Sequence, residues 1–236
     1  MGVERVKKSA EQFFDKKASD SYDERNARLA PISSNLHLLI RLVLKDLPAD
    51  ARILCVGAGT VAEILYLAEA FPDWRFIGVD PSASMLEVCE EKLKHEGIND
   101  RCTLITGYAD DVPDNETFDA VLCLLVTHFI KDDQERQKTF DAMAVRLKPK
   151  GYLINADISY DTTSPLYDDI FEKWLNLQQE RGEKGADAAD LKKMMAEHLS
   201  VLPASAMEQF LKNAGLPQPV KFFQSLLISA WYSQKL

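Results

Sequence analysis

The sequence has no C-x-x-C pair, no apolar run of membrane-spanning length and no surplus of positive charge, and each absence excludes a class of function. Cys55, Cys89, Cys102 and Cys123 stand singly among apolar residues, where a thiol packs as a small hydrophobe. Neither a disulfide framework nor a metal site is expected. The longest uncharged apolar stretches, 120–130 and 222–234, fall short of the roughly 20 residues that a helical bilayer span requires. Lysine and arginine number 28 against 37 acidic residues, a net charge of −9, so the overall field repels phosphate backbones and anionic lipid. Nucleic acid is thus a poor default partner. The opening M-G-V-E-R-V-K-K lacks the apolar stretch of a secretory signal, and a cytoplasmic location is expected.

What the chain does have is the composition of a folded protein, 46% hydrophobic and 28% charged over 236 residues, enough for one α/β domain with an appendage. From Ala51 to Asp157, β-like and α-like runs alternate, the rhythm of a parallel sheet covered by helices on both faces. Strands are read at Ile53–Val56, Arg75–Asp80, Cys102–Thr106, Phe118–Val126 and Tyr152–Ile158. The fourth is apolar almost throughout, as in a strand buried on both sides. Lys148-Pro149-Lys150-Gly151 reads as the end of the preceding helix. A closing β pair is expected at Val220–Phe223 and Leu226–Tyr232. Four regions follow: a helical N-terminal cap (1–50) placed at the sheet rim, a core (51–160), a helical cap insertion (161–204), and a C-terminal helix with the β pair (205–236).

Chemistry concentrates at the turn G-A-G-T-V-A, Gly57 to Ala62, where a buried strand feeds a helix and bare backbone amides can approach a ligand. Asp80 ends the second strand a little over 20 residues later, placed to accept hydrogens from both hydroxyls of a ribose. Capping the helix that opens at Pro81 is its structural alternative. The same spacing satisfies the dinucleotide fingerprint, so a nicotinamide-dependent oxidoreductase is a rival on these residues alone.

Taken together, I-L-C-V-G-A-G-T, G-V-D-P-S-A-S-M-L-E, G-Y-A-D-D-V-P, F-D-A-V-L-C-L-L-V-T-H-F and L-K-P-K-G-Y-L-I-N resemble, in order and approximate spacing, the class I S-adenosylmethionine-dependent methyltransferases. The resemblance spans residues 53–155, and it extends to both termini for one group of that family, the carboxy-S-adenosylmethionine synthases of tRNA wobble-uridine modification. It implies a Rossmann-like, seven-stranded, mostly parallel sheet in the order 3-2-1-4-5-7-6 with strand 7 antiparallel. S-adenosylmethionine is the implied cofactor. Gly57, Ala58 and Gly59 would pass under its methionine part, Asp80, followed by Pro81, would hold the ribose, and Met85 would pack near the adenine. Tyr108, Ala109 and Asp110 would meet the adenine edge, Leu124 would face the sulfonium region, and Tyr22 would cover the cofactor or pack the N-terminal helices.

Several positions depart from that family's pattern. Cys55 stands where an acid is usual, Val61 where a third glycine is usual, and Tyr108 where another acid is usual, so weaker cofactor binding is expected. The synthase group holds an extra cofactor carboxylate with an arginine in the C-terminal helix, whereas 203–216 contains none and Arg181 is the last arginine in the chain. A carboxylate without a cation in a dry pocket is costly, which favours ordinary methyl transfer over carboxy-cofactor synthesis. A non-catalytic, cofactor-binding regulatory protein is the third reading.

Methyl transfer demands mainly alignment and exclusion of water; a base matters only when the acceptor carries a proton at attack. His128, after the fourth strand, and Asp157, after the fifth, are the candidates, with loop or capping roles as their alternatives. Tyr160 either lines the acceptor pocket or caps the following turn. His37 and His198 on apolar helix faces and His95 on a charged helix end are read as structural. Phe171, Trp174, Met194 and Met195 would roof an apolar pocket or pack their own helices. A small-molecule acceptor follows, and a homodimer is compatible with the same apolar stripe.

Overall fold

A computed structural model describes residues 27–179 and 188–236. Seven strands form one sheet in the order β3-β2-β1-β4-β5-β7-β6: β1 Arg52–Val56, β2 Arg75–Asp80, β3 Cys102–Thr106, β4 Phe118–Leu124, β5 Leu147–Ile158, β6 Val220–Ser225 and β7 Ile228–Gln234. β7 runs antiparallel to β5 and to β6, and the strands from β3 through β5 are parallel to their neighbours. Helices α1 Ala30–Leu44, α2 Ala62–Ala70, α3 Ala83–His95, α4 Asp133–Val145, α5 Tyr167–Gln179, α6 Ala188–His198 and α7 Ala204–Asn213 complete the described elements.

Strand alternation divides the core into two layers. Ile53 and Cys55 of β1, Ala120 and Leu122 of β4, and Ile154 and Ala156 of β5 pack under α1, α2 and α3, whereas Leu54, Val56, Val121, Cys123 and Leu153 face α4 and α7. Period-2 side-chain alternation with both faces covered is why these strands read as continuous apolar runs. On the second face, Phe210 of α7 stacks on Phe140 of α4 with ring centroids 5.7 Å apart. Helix starts follow local chemistry: the Ser82 hydroxyl accepts the Met85 N–H, and one Asp132 carboxylate oxygen accepts the N–H groups of Gln134 and Glu135.

Two expectations change, and one open alternative is settled in favour of packing. Lys148–Gly151 belongs to β5: Leu147 pairs with Phe118 and the register shifts before Ala120 meets Tyr152, with Lys150 in a left-handed conformation. Turn-forming residues here make a bulge within the strand. Helix α1 lies on a sheet face, its Ile32, Leu36, Ile40 and Leu44 buried in the first layer, and only its N-terminal end reaches the rim. Phe171, Trp174 and Met195 are buried in that same layer, packing their helices onto the core, while Met194 is exposed.

All four cysteines are free, and burial raises the thiol pKa of each. Among the described residues no helix is long and apolar enough to cross a membrane, and no three His, Cys, Asp or Glu side chains are grouped to hold a metal ion.

The loop after β4 is fixed to the segment before α7 by a fully buried arginine. Arg136 donates from Nε and Nη2 to the Ile130 carbonyl at 3.2 and 2.8 Å and from Nη2 to the Ser200 carbonyl at 3.0 Å. Its guanidinium also lies over the Phe210 ring. Replacing it with methionine keeps much of the volume but strands both carbonyls. Arg136→Met should cost about 3 kcal/mol in urea denaturation, with the melting temperature falling roughly 10 °C.

Candidate functional site

The site lies at the carboxyl ends of β1, β2 and β4, where the strand order reverses. The Gly57 and Ala58 N–H groups both donate to the Val79 carbonyl, at 2.8 and 3.1 Å, which folds the turn after β1 against β2. Gly57 has φ +73°, and a Cβ there would stand 2.3 Å from Val126 Cγ2. The turn and the loop after β4 therefore approach as closely as bare backbone permits.

Asp80 joins three loops. Its Oδ2 accepts the Gly59 N–H at 3.0 Å, its Oδ1 accepts the Ser82 N–H at 2.9 Å, and its backbone carbonyl accepts the Gly107 N–H at 3.0 Å. Ser82 is the N-cap of α3, so the carboxylate supports that helix start without being the cap itself. The side chain is largely buried, which raises its pKa against the two amides that favour its charged form. Each oxygen accepts one protein hydrogen bond and keeps capacity for a ligand hydroxyl.

Asp80 opens on an apolar cavity whose wall includes Gly57, Gly59, Pro81, Met85, Tyr108, Ala109, Asp110 and Leu124. A second cavity across the turn takes in Gly57, Ala58, Gly59 and Leu124 as well, together with Glu63, Ser33 and His37. The structure thus gathers ten predicted positions around two adjoining spaces. Tyr22 lies outside the described residues. His37, read as a packing residue, lines the second cavity with its ring 5.6 Å from that of Tyr66, and burial lowers its pKa.

His128 and Asp157 are brought together, but away from both cavity walls. The ring Nδ1 lies 2.7 Å from Asp157 Oδ1, the His128 backbone N–H donates to the same oxygen at 3.1 Å, and the Thr127 hydroxyl donates to Oδ2. The side chains are 3% and 1% exposed. Asp157 lies near the end of β5, one residue before its last. Its carboxylate anchors the start of the loop after β4, whose other end is tied down when the His128 carbonyl accepts the Ser200 N–H at 2.7 Å. Tyr160 packs beside Tyr167, ring centroids 6.0 Å apart.

Residues not singled out from sequence also shape the site. Leu125, Val126, Phe129 and Ile130 line the first cavity; their signal was their place directly after Leu124 at the end of the buried strand. Arg146, 5% exposed, donates to the carbonyls of Ala109 at 3.0 Å and Pro113 at 2.9 Å, holding the 109–113 segment from a strand away. No local pattern announces such a contact. Glu63, in the first turn of α2, is half-buried, and burial pushes its carboxyl up to about 7; its own backbone N–H opposes the shift and the nearby Asp80 adds to it.

The departure at Val61 has a structural consequence. Val61 takes φ +64°, a left-handed conformation that costs a β-branched residue about 1–2 kcal/mol, yet it is fully buried. Leu125, on the opposite side of the cavities, has φ +59°.

Residues 53–151 match the model of a methyltransferase domain. The carboxy-S-adenosyl-L-methionine synthase of Campylobacter jejuni subsp. doylei is 27% identical over 216 residues, covering 89% of this chain and 88% of that protein. A ubiquinone/menaquinone biosynthesis C-methyltransferase of Vibrio campbellii is 26% identical over 219 residues, covering 90% and 81%. The solved structure of an O-methyltransferase family protein from Burkholderia thailandensis matches with a TM-score of 0.66 at 14% identity, a likeness of fold, over 94% of this chain and 60% of that one. Residues 53–151 thus carry a methyltransferase domain, within a sheet of the order the resemblance implies, and S-adenosylmethionine is the cofactor of the methyltransferases and synthases it is similar to. Along most of its length it is similar to the carboxy-S-adenosyl-L-methionine synthases.

Two expected outcomes follow from this geometry. Val61→Gly loses a buried side chain but relieves the left-handed strain, so its cost in chemical denaturation should be about 1 kcal/mol, below the roughly 2 kcal/mol usual for a buried valine. For Glu63, the folded pKa of about 7 exceeds the unfolded reference of 4.5. Its neutral form therefore stabilises the fold at low pH, and this contribution drains away as pH rises from 4.5 to 7, by on the order of 2–3 kcal/mol. Glu63→Gln should flatten the curve of ligand-free stability against pH over that interval.

Proposed function

We propose that this protein transfers the methyl group of S-adenosylmethionine to an oxygen, nitrogen or sulfur nucleophile of a small molecule. The observation that carries this reading is the continuity of the Asp80 cavity with an apolar wall formed by Leu125, Phe129 and Ile130 beyond Leu124. Gly57 lets the loop after β4 close over the turn beside the cavity, and Asp80 offers acceptor capacity for two vicinal hydroxyls. When bound, the cofactor supplies an electrophilic methyl group on a positively charged sulfur.

The chain's own contribution is placement and dryness. Leu124, Leu125 and Phe129 exclude water from the transfer path, and alignment of the acceptor replaces much of the entropic barrier. His128, within the 125–130 loop, and Asp157 of β5 act by holding that loop in register rather than by accepting the acceptor's proton, since both side chains are buried and line neither cavity. The acidity of the chain supports a small acceptor over nucleic acid.

A second reading, conversion of the sulfonium cofactor to its carboxylated form, is favoured by the 89% coverage of the synthase relatives. Against it, no lysine or arginine lines either cavity among the described residues, so an added carboxylate finds no cationic partner there.

The test is release of S-adenosylhomocysteine from S-adenosylmethionine when the purified protein meets a fractionated metabolite extract. Wild type should release it in at least one fraction, and Asp80→Ala should reduce the rate at least 100-fold. No release from any fraction, with a carboxylated nucleoside copurifying by mass spectrometry, would replace the first reading with the second.

A further inference from the structure

The cavity across the glycine turn from Asp80 has a charge requirement of its own. It shares Gly57, Gly59, Leu124 and Leu125 with the first cavity, so a nucleoside held at Asp80 would have the second space within reach across the turn. There Glu63 projects from the first turn of α2, opposite Ser33 and His37 of α1. Among the described residues no lysine or arginine lines this space and none forms an ion pair with Glu63. Burial disfavours its charge, as does Asp80 nearby, and only its own backbone N–H favours it. A carboxylate withdrawn from water without a cation is destabilising unless a ligand brings one. Cys55, at the end of β1 below the turn, is a buried thiol and cannot serve as the anion.

We infer that Glu63 holds the α-ammonium group of the cofactor's methionine part, making this residue the determinant by which the protein selects an amino-acid-bearing nucleoside over one that lacks it. The inference rests on the cofactor assignment above. Ser33 and His37 line the same space and would be the polar groups available to the α-carboxylate of the same zwitterion. The Glu63 carboxylate would act in binding and orientation and take no part in bond making.

Two neutral-sulfur ligands separate this role from attraction of the sulfonium charge. S-adenosylhomocysteine keeps the ammonium, and 5′-methylthioadenosine lacks the whole amino-acid part. Measured by calorimetry or by competition at neutral pH, Glu63→Gln should weaken S-adenosylhomocysteine at least tenfold and leave methylthioadenosine within twofold. Asp80→Asn should weaken both. Glu63→Asp, which keeps the charge but withdraws it by one methylene, should fall between wild type and Glu63→Gln for S-adenosylhomocysteine, and it serves if the glutamine variant does not fold. Equal losses for both ligands, or no loss for either, would overturn the role of Glu63 while leaving the cofactor assignment standing. Failure of wild type to bind either ligand would overturn the cofactor assignment itself.

Discussion

Everything at the site depends on the position of one carboxylate. Asp80 accepts the Gly59 and Ser82 N–H groups through its two oxygens, and its backbone carbonyl accepts the Gly107 N–H. The glycine turn after β1, the start of α3 and the loop after β3 are thus referenced to a single residue at the end of β2. Since β2 lies between β1 and β3 in register, the sheet carries the positional accuracy and the side chain transmits it. A carboxylate held by backbone amides on two sides is oriented before any ligand arrives, so little rotational freedom remains to be lost on binding.

Such accuracy is accompanied by strain. Val61 and Leu125 adopt left-handed conformations on either side of the cavities, and neither is glycine. Conformations of this kind persist only where surrounding contacts over-determine them. Val61 is held by burial and by its N–H to the Ala58 carbonyl at 2.9 Å; Leu125 is held by its N–H to the Ala156 carbonyl at 2.7 Å. The His128–Asp157 pair and the Arg136 clamp complete the restraint on the loop after β4. These buried polar contacts are best understood as the structure that keeps Leu124, Leu125 and Phe129 facing the cavity.

The parts of this protein that can be read from sequence are those specified by neighbours along the chain. β1 and β4 are apolar on both faces, so their burial and their order within the alternating pattern were evident. The glycine turn, Asp80 and the positions around Tyr108 follow because each lies directly after a strand that points at the site. Lys148–Gly151 misled because turn-forming residues also build bulges, and the choice depends on the partner strand. Arg136, Arg146 and the pairing of His128 with Asp157 were hidden for another reason: each reaches across at least 29 residues of sequence or to carbonyls with no residue identity. Glu63 resembles an ordinary acidic residue in a helix's first turn, and only the cavity beside it gives it a different meaning.

The two carboxylates explain why the site belongs to a ligand of mixed character. Asp80 and Glu63 lie on opposite sides of one glycine turn, and each raises the cost of ionising Glu63, the first through its charge and the second through its own loss of water. An apolar ligand would leave that cost in place, and an anionic ligand would add to it. A molecule with vicinal hydroxyls at one end and a cation at the other relieves it, because hydroxyl hydrogens go to Asp80 and positive charge to Glu63. A ligand carrying one further carboxylate on its sulfur side brings a charge for which the described cavity walls hold no lysine or arginine. The proposed preference for the unmodified cofactor thus rests on the charges of the cavity walls rather than on any catalytic group.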